Sequence, residues 1–242
     1  MSASQHDPGR EEQLLLARLR DPDPIERGRA VDSLGQLGRP ELARALHGLL
    51  DDSDPIVAFK AAAALAGLGD PGGLAKLLRA LTVADLRSFA LDALIDLGSS
   101  ESVEALRRFL ARPFLHPLEK MQAAAALSRA GDESGSDYIR RRLESRQPDE
   151  RGFALELWGR LAMPDALDRL CEVLARTDDP HRLDAVRGLV HLGDRRALKA
   201  LRSAAAQQDD PELAREAEQA AAWLRDAGRS SSAGSKWNRP LS

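Results

Sequence analysis

Residues 61–81 read Ala61-Ala62-Ala63-Ala64-Leu65-Ala66-Gly67-Leu68-Gly69-Asp70-Pro71-Gly72-Gly73-Leu74-Ala75-Lys76-Leu77-Leu78-Arg79-Ala80-Leu81. Ala61, Leu65 and Leu68 fall at i, i+4 and i+7, the apolar stripe of an amphipathic helix. Gly69 follows the last stripe residue, and glycine tolerates the left-handed conformation that ends many helices. After a short link, Leu74, Leu77, Leu78 and Leu81 form a second stripe. The stretch predicts a helical hairpin, an A helix followed by a B helix.

The same register returns along the chain. Arg27, Ala58, Arg87, Lys120, Arg151, Arg182 and Ala214 are spaced by 31, 29, 33, 31, 31 and 32 residues. Three residues after each stands an alanine: Ala30, Ala61, Ala90, Ala123, Ala154, Ala185 and Ala217. Four further on come Leu34, Leu65, Leu94, Leu127, Trp158, Leu189 and Ala221. Gly38, Gly69, Gly98, Gly131 and Gly193 close five of the stripes. Acidic, proline-bearing turns such as Asp21-Pro22-Asp23-Pro24 and Asp51-Asp52-Ser53-Asp54-Pro55 open the units. Aspartate accepts hydrogen bonds from the free amides of a helix start, and proline suits the first turn. Self-similarity at this period is the mark of a solenoid, which presents a long binding surface.

Composition agrees. Charged residues make up 30% of the chain and aromatics 4%, with alanine for close helix approach and leucine for the seam. A formal net charge of −3 gives no reason to expect a nucleic-acid partner. Cys171 is the single cysteine, so neither an internal disulfide nor a thiolate zinc cluster is expected. No apolar run is long enough to span a bilayer, and the first twenty residues lack a secretory core. A cytoplasmic protein without a membrane partner is the expectation.

Residues 61–81 and Leu192-Gly193-Asp194-Arg195-Arg196-Ala197 resemble the HEAT superfamily, in its short-repeat branch named after phycobilisome lyases. The resemblance covers roughly 21–226. It implies an all-α, right-handed α-α superhelix, a HEAT-like solenoid of about six helix pairs plus capping helices. The array is expected over 11–228, with units near 21–50, 51–82, 83–113, 114–147, 148–178 and 179–208 and a cap at 209–228. Flexible stretches are expected at 1–10 and 229–242. The resemblance also implies that Arg27, Arg87, Arg151 and Arg182 join a ladder with aspartates of the preceding turns.

Catalytic signals are poor: the chain has no phosphate loop, no His-Glu-x-x-His and no nucleophile elbow. His6, His47, His116, His181 and His191 fall at unrelated positions, and His191 is expected to be structural or exposed. Cys171 is expected as a buried structural thiol, Trp158 as core and Trp223 as the plug of the array end. No catalytic residue, cofactor or metal is expected. The fourth unit is irregular, with the turn Arg112-Pro113-Phe114-Leu115-His116-Pro117 and a stretched link at 131–136. Sequence drift and a contact or bend are both open readings of it.

In the resembled family the B helices line the concave face. Here the B-helix stretches carry a formal +8, against −3 for the chain. Such a face attracts an acidic partner, or its arginine stems simply cover apolar flanks. The expected function is a non-enzymatic scaffold or adaptor holding an acidic protein or peptide segment. Its contact residues would be Lys76, Arg79, Arg108, Arg141, Arg169, Lys199 and Arg202. Trp237, in Lys236-Trp237-Asn238-Arg239, is either a docking residue or an accident of a polar tail. The resemblance implies a second function, a bilin lyase or phycobiliprotein chaperone whose arginines pair with bilin propionates. A HEAT-like DNA glycosylase is a third, opposed by the acidic balance.

Overall fold

Aspartate, proline and glycine set the helix ends. The computed structural model describes residues 8–207 and 209–226. Its helices, in order, are α1 (Pro8–Arg18), α2 (Pro24–Gln36), α3 (Ala43–His47), α4 (Pro55–Gly67), α5 (Leu74–Ala80), α6 (Ala84–Leu97) and α7 (Ser100–Leu110). Then follow α8 (Pro117–Arg129), α9 (Glu133–Arg142), α10 (Pro148–Arg160), α11 (Ala166–Ala175), α12 (Arg182–Leu192), α13 (Leu198–Ala205) and α14 (Pro211–Asp226). There is no strand among the described residues. Asp23 Oδ1 accepts from Ile25 N at 2.9 Å, and Asp54 Oδ1 from Ile56 N at 2.8 Å, capping α2 and α4. Each of these helices starts on proline.

The glycines end the A helices as their positions require. Gly38, Gly69, Gly98, Gly131 and Gly193 have φ of 64°, 76°, 57°, 78° and 71°. After Gly69 the next amide, Asp70 N, donates back to Leu65 O at 2.9 Å, and Asp132 N does the same to Leu127 O. This is the six-to-one closure that a left-handed residue permits. The same aspartates then start the B segments. Asp70 Oδ1 accepts from Gly72 N at 2.8 Å, Asp132 from Ser134 N at 3.0 Å and Asp194 from Arg196 N at 2.8 Å. A Gly-Asp pair therefore closes one helix and opens the next.

The helices gather into two compact units that divide after Ala111. In the first, α2, α4 and α6 pack side by side, α3 and α5 lie against α4, α7 lies against α6, and α1 covers α2. Val31, Leu34, Leu46, Val57, Ala61 and Leu65 form its core with Leu19. In the second, α8, α10, α12 and α14 form the A layer, and α9, α11 and α13 the B layer. Leu127, Ile139, Trp158, Leu170, Leu189, Leu201 and Leu224 are buried there. Each unit is thus a stack of helical hairpins, an all-α HEAT-like solenoid.

Where the B segment begins, it abuts the A helix, and in five hairpins the residue there is small. Gly73, Ser102, Gly135, Ala166 and Ala197 each lie four residues past the helix-ending position, and all are buried. A Cβ on Gly73 would lie 2.6 Å from Ala62 Cα. α10 and α12 also touch backbone to backbone, since a Cβ on Gly159 would meet the Gly188 carbonyl.

Two sequence expectations are corrected. The arginine ladder runs forward: Arg27 Nε and Nη2 grip Asp52 at 2.8 and 2.7 Å, and Arg151 Nη1 and Nη2 grip Asp179 at 2.8 and 2.7 Å. Those aspartates belong to the following turn. What the preceding turn supplies is carbonyl oxygen, from Asp21 to Arg27, Leu81 to Arg87, Leu143 to Arg151 and Leu174 to Arg182. Arg27 and Arg151 thus each staple two consecutive turns. The link after Gly131 is also not stretched, because Asp132 caps α9 at once and α9 starts at Glu133. The turn at 112–117 remains irregular and leaves Phe114 fully exposed.

Candidate functional site

Leu77, Leu106, Ile139, Leu170 and Leu201 hold one register in the B helices and are all buried. The basic residues project from positions around them. In the first unit Lys76 reaches back to Asp51 at 3.4 Å, and Arg108 Nε pairs with Glu104 at 3.1 Å. Arg79 is exposed, donates to Ala75 O at 3.4 Å and has no ion pair among the described residues. In the second unit Arg169 reaches back to Glu144 at 2.9 Å and also lies 3.6 Å from Asp165. Arg141, Lys199 and Arg202 are exposed, with no ion pair among the described residues. Trp237 lies outside the described residues, as do the stretches 1–7 and 227–242. Much of the formal charge counted along the B helices is therefore neutralised between turns. Open cations remain at Arg79 and, in the other unit, at Arg141, Lys199 and Arg202.

Between α11 and α13 the B layer opens into a cleft of about 380 Å³. Cys171, Leu174 and Ala175 form one wall, and Arg196, Lys199, Ala200, Ser203, Ala204 and Gln207 the other. The small residues facing one another across adjacent B helices leave this volume. Arg196 is folded onto Asp194, with Nε and Nη2 at 3.0 and 2.7 Å from Oδ2. Gln207 accepts from Arg182. Lys199 is the cation of the cleft that keeps its charge for an incoming group. The volume sits at the lower end of ligand-pocket sizes, about 300–1,000 Å³. An apolar floor with one open ammonium suits an apolar side chain with a carboxylate beside it.

Cys171 corrects an expectation, for it is half-buried and lines this cleft instead of lying in the core. Burial pushes its thiol pKa up, and the nearby Asp168 and Asp194 carboxylates push it further. The neutral thiol is a weak nucleophile. Trp158 is buried as expected, with Nε1 donating to Asp165 Oδ1 at 2.8 Å and the Arg140 guanidinium 5.5 Å from its ring. It offers no face for stacking a ligand. Trp223 is only half-buried on α14.

The four described histidines serve the scaffold. His47 pairs with Asp70 at 3.0 Å, His116 caps α8, and His181 Nδ1 lies 2.9 Å from Asp184. His191 is half-buried beside Arg160 at 3.4 Å, and burial together with that guanidinium lowers its pKa. No group of three or more His, Cys, Asp or Glu among the described residues has a metal-binding arrangement. No described helix is long and apolar enough to cross a membrane.

Sequence reading located Lys199 but not the cleft around it. The clue was available in small residues at facing positions, Ala175 on α11 and Ala200, Ser203 and Ala204 on α13. The pairing of Arg169 with Glu144 left no sequence signal, because the two stand 25 residues apart in different hairpins.

The chain is similar to several solved structures. One is the complex of CpcE and CpcF of phycocyanin lyase from Nostoc sp. PCC7120, at 20% identity and a TM-score of 0.48, covering 92% of this chain and 98% of that one. Another is human deoxyhypusine hydroxylase in complex with glycerol, at 21% identity and a TM-score of 0.38, covering 90% and 95%. A third is an engineered protein, at 19% identity and a TM-score of 0.31, covering 89% and 97%. No curated protein matches the chain. At this distance none of the structures assigns an activity. The family model described as HEAT repeats matches residues 12–86 and 139–222, well over half of the chain, in stretches that fall on the helical hairpins of both units. The chain belongs to the HEAT-repeat family.

Proposed function

We propose that this HEAT-repeat protein is a non-enzymatic adaptor that holds an acidic segment of a protein partner on the B-helix face of its second unit. The supporting observation is the cleft between α11 and α13, apolar on its floor and open to an anion at Lys199. An apolar residue of the partner fills the floor while its neighbouring carboxylates meet Lys199. Arg141 and Arg202, exposed on α9 and α13, extend the attraction outward. Such charges speed encounter and set orientation more than they add affinity. Arg79, Lys76 and Arg108 carry the corresponding role on the first unit, with Arg79 the least neutralised of them.

A short synthetic peptide of glutamates around one leucine tests this by fluorescence anisotropy. Binding should weaken with added salt, and Lys199→Glu should weaken it by roughly tenfold, about 1.4 kcal/mol. Affinity indifferent to both would overturn the reading. A linear tetrapyrrole with two propionates competes for the same cations. An absorbance shift on mixing the protein with a bilin would replace the peptide reading, and an unchanged spectrum would remove the bilin.

A further inference from the structure

The arginine ladder changes chemistry at Arg182. Arg27 closes on Asp52 and Arg151 on Asp179, each time a guanidinium on a carboxylate. Gln207 follows Arg182 by 25 residues, as Asp52 follows Arg27, so an amide stands at the aspartate position. Arg182 is only 5% accessible and has no ion pair among the described residues. Its Nε donates to Leu174 O at 3.1 Å and its Nη2 to Gln207 Oε1. A buried charge without a counter-charge is costly, so scaffold stability gives no reason for glutamine here. A guanidinium only donates, which holds Oε1 of Gln207 toward Arg182 and turns Nε2 away from it. Nε2 has no acceptor among the described residues, and Gln207 lines the α11–α13 cleft. The hydrogen bond from the guanidinium polarises the amide and strengthens its N–H donors.

The cleft therefore offers an anion two points of attachment. Lys199, Ser203 and Gln207 line it at i, i+4 and i+8, along one side of α13 and its exit, with Ala200 and Ala204 between the two ends. Lys199 and Gln207 are separated by about 12 Å of rise, at about 1.5 Å per residue. In an extended chain residues i, i+2 and i+4 share one side, and i to i+4 spans about 13 Å. Resting on the adaptor reading of this cleft, we propose that its occupant is an extended segment with one apolar residue and an acidic residue two positions to either side of it. The apolar side chain lies on Ala200 and Ala204, while the carboxylates meet Lys199 at one end and Gln207 Nε2 at the other. Gln207 is then a specificity residue. Arg182 supplies the positive potential behind it, and its amide reads the spacing between the two carboxylates.

Two end-blocked, fluorescein-labelled pentapeptides of identical composition test this by anisotropy with the full chain. One has a central leucine, a glutamate two residues to either side and alanines between. The other has both glutamates on the N-terminal side of the leucine. The spaced peptide should bind the unaltered protein roughly tenfold more tightly. Gln207→Glu should abolish that preference, because it sets a carboxylate against the incoming one. The same variant gives Arg182 a charged partner, so its denaturation midpoint should hold or rise. A glutamine that merely completes the ladder would show the stability response with the preference intact. Equal affinity of the two peptides for the unaltered protein, or a preference that survives Gln207→Glu, would overturn the proposal. In either case the adaptor reading stands if Lys199→Glu still weakens binding, whereas no binding of either peptide overturns both.

Discussion

Ala162 occupies the helix-ending position that glycine fills in five other units, and its φ is +48°. A left-handed conformation costs an L-residue about 1–2 kcal/mol, whereas glycine adopts it freely. Ala162→Gly should therefore raise stability by about 1 kcal/mol, read as a higher denaturation midpoint; an unchanged or lower midpoint would show that the turn is not strained. Asp179 gives a second test. The Arg151 guanidinium holds its carboxyl below the usual aspartate range, with the His181 amide assisting against burial. A folded-state pKa below the unfolded one stabilises at pH above the ordinary carboxylate value, about 3.9, and that stabilisation is lost as pH falls through the folded value. Asp179→Asn should be less stable at neutral pH and should lose less stability on acidification below about pH 4. Parallel pH–stability curves for the two proteins would remove Asp179 from the acid response.

At the scale of the helix, start signals decide how sharply an element begins. α10 starts after Gln147, which makes no side-chain cap, whereas Asp54 caps two amides of α4. Gln147→Asp should add about 1 kcal/mol, measured by thermal unfolding, and a lower midpoint would count against that. These local rules are what the sequence displays best. The closing helix was legible at 211–226 because an acidic turn with Pro211 and a run of small and apolar residues bracket it. Gly69 and Asp70 revealed a helix end and a helix start in two letters. The link after Gly131 was misread because Glu133 and Ser134 look like loop residues, yet Asp132 caps them into α9. Ion pairing was illegible for a different reason. Arg27 with Asp52 and Arg169 with Glu144 each bridge hairpins 25 residues apart, and the repeat sets only that such residues come near, not which will bond. The cleft was missed likewise, since volume arises from the sum of small side chains on two helices.

At the scale of the whole molecule, stability in a stacked array comes from each hairpin and from its neighbours, and among the described helices α1 packs on α2. None of residues 9–18 of α1 is buried, whereas α4 buries Val57, Ala61, Ala62 and Leu65. Hydrogen exchange should therefore be faster along α1 than along α4; equal protection would imply a single cooperative block. An array of this kind positions surface residues more rigidly than loops do, so function rests on what each hairpin displays. The second unit displays an apolar cleft with open cations at Lys199, Arg202 and Arg141. Quantitative affinity capture with the intact protein and with an Arg141→Glu/Lys199→Glu/Arg202→Glu variant tests that role most directly. The acidic partners enriched by the intact protein should be lost from the variant, and their full retention would contradict binding at the B-helix face.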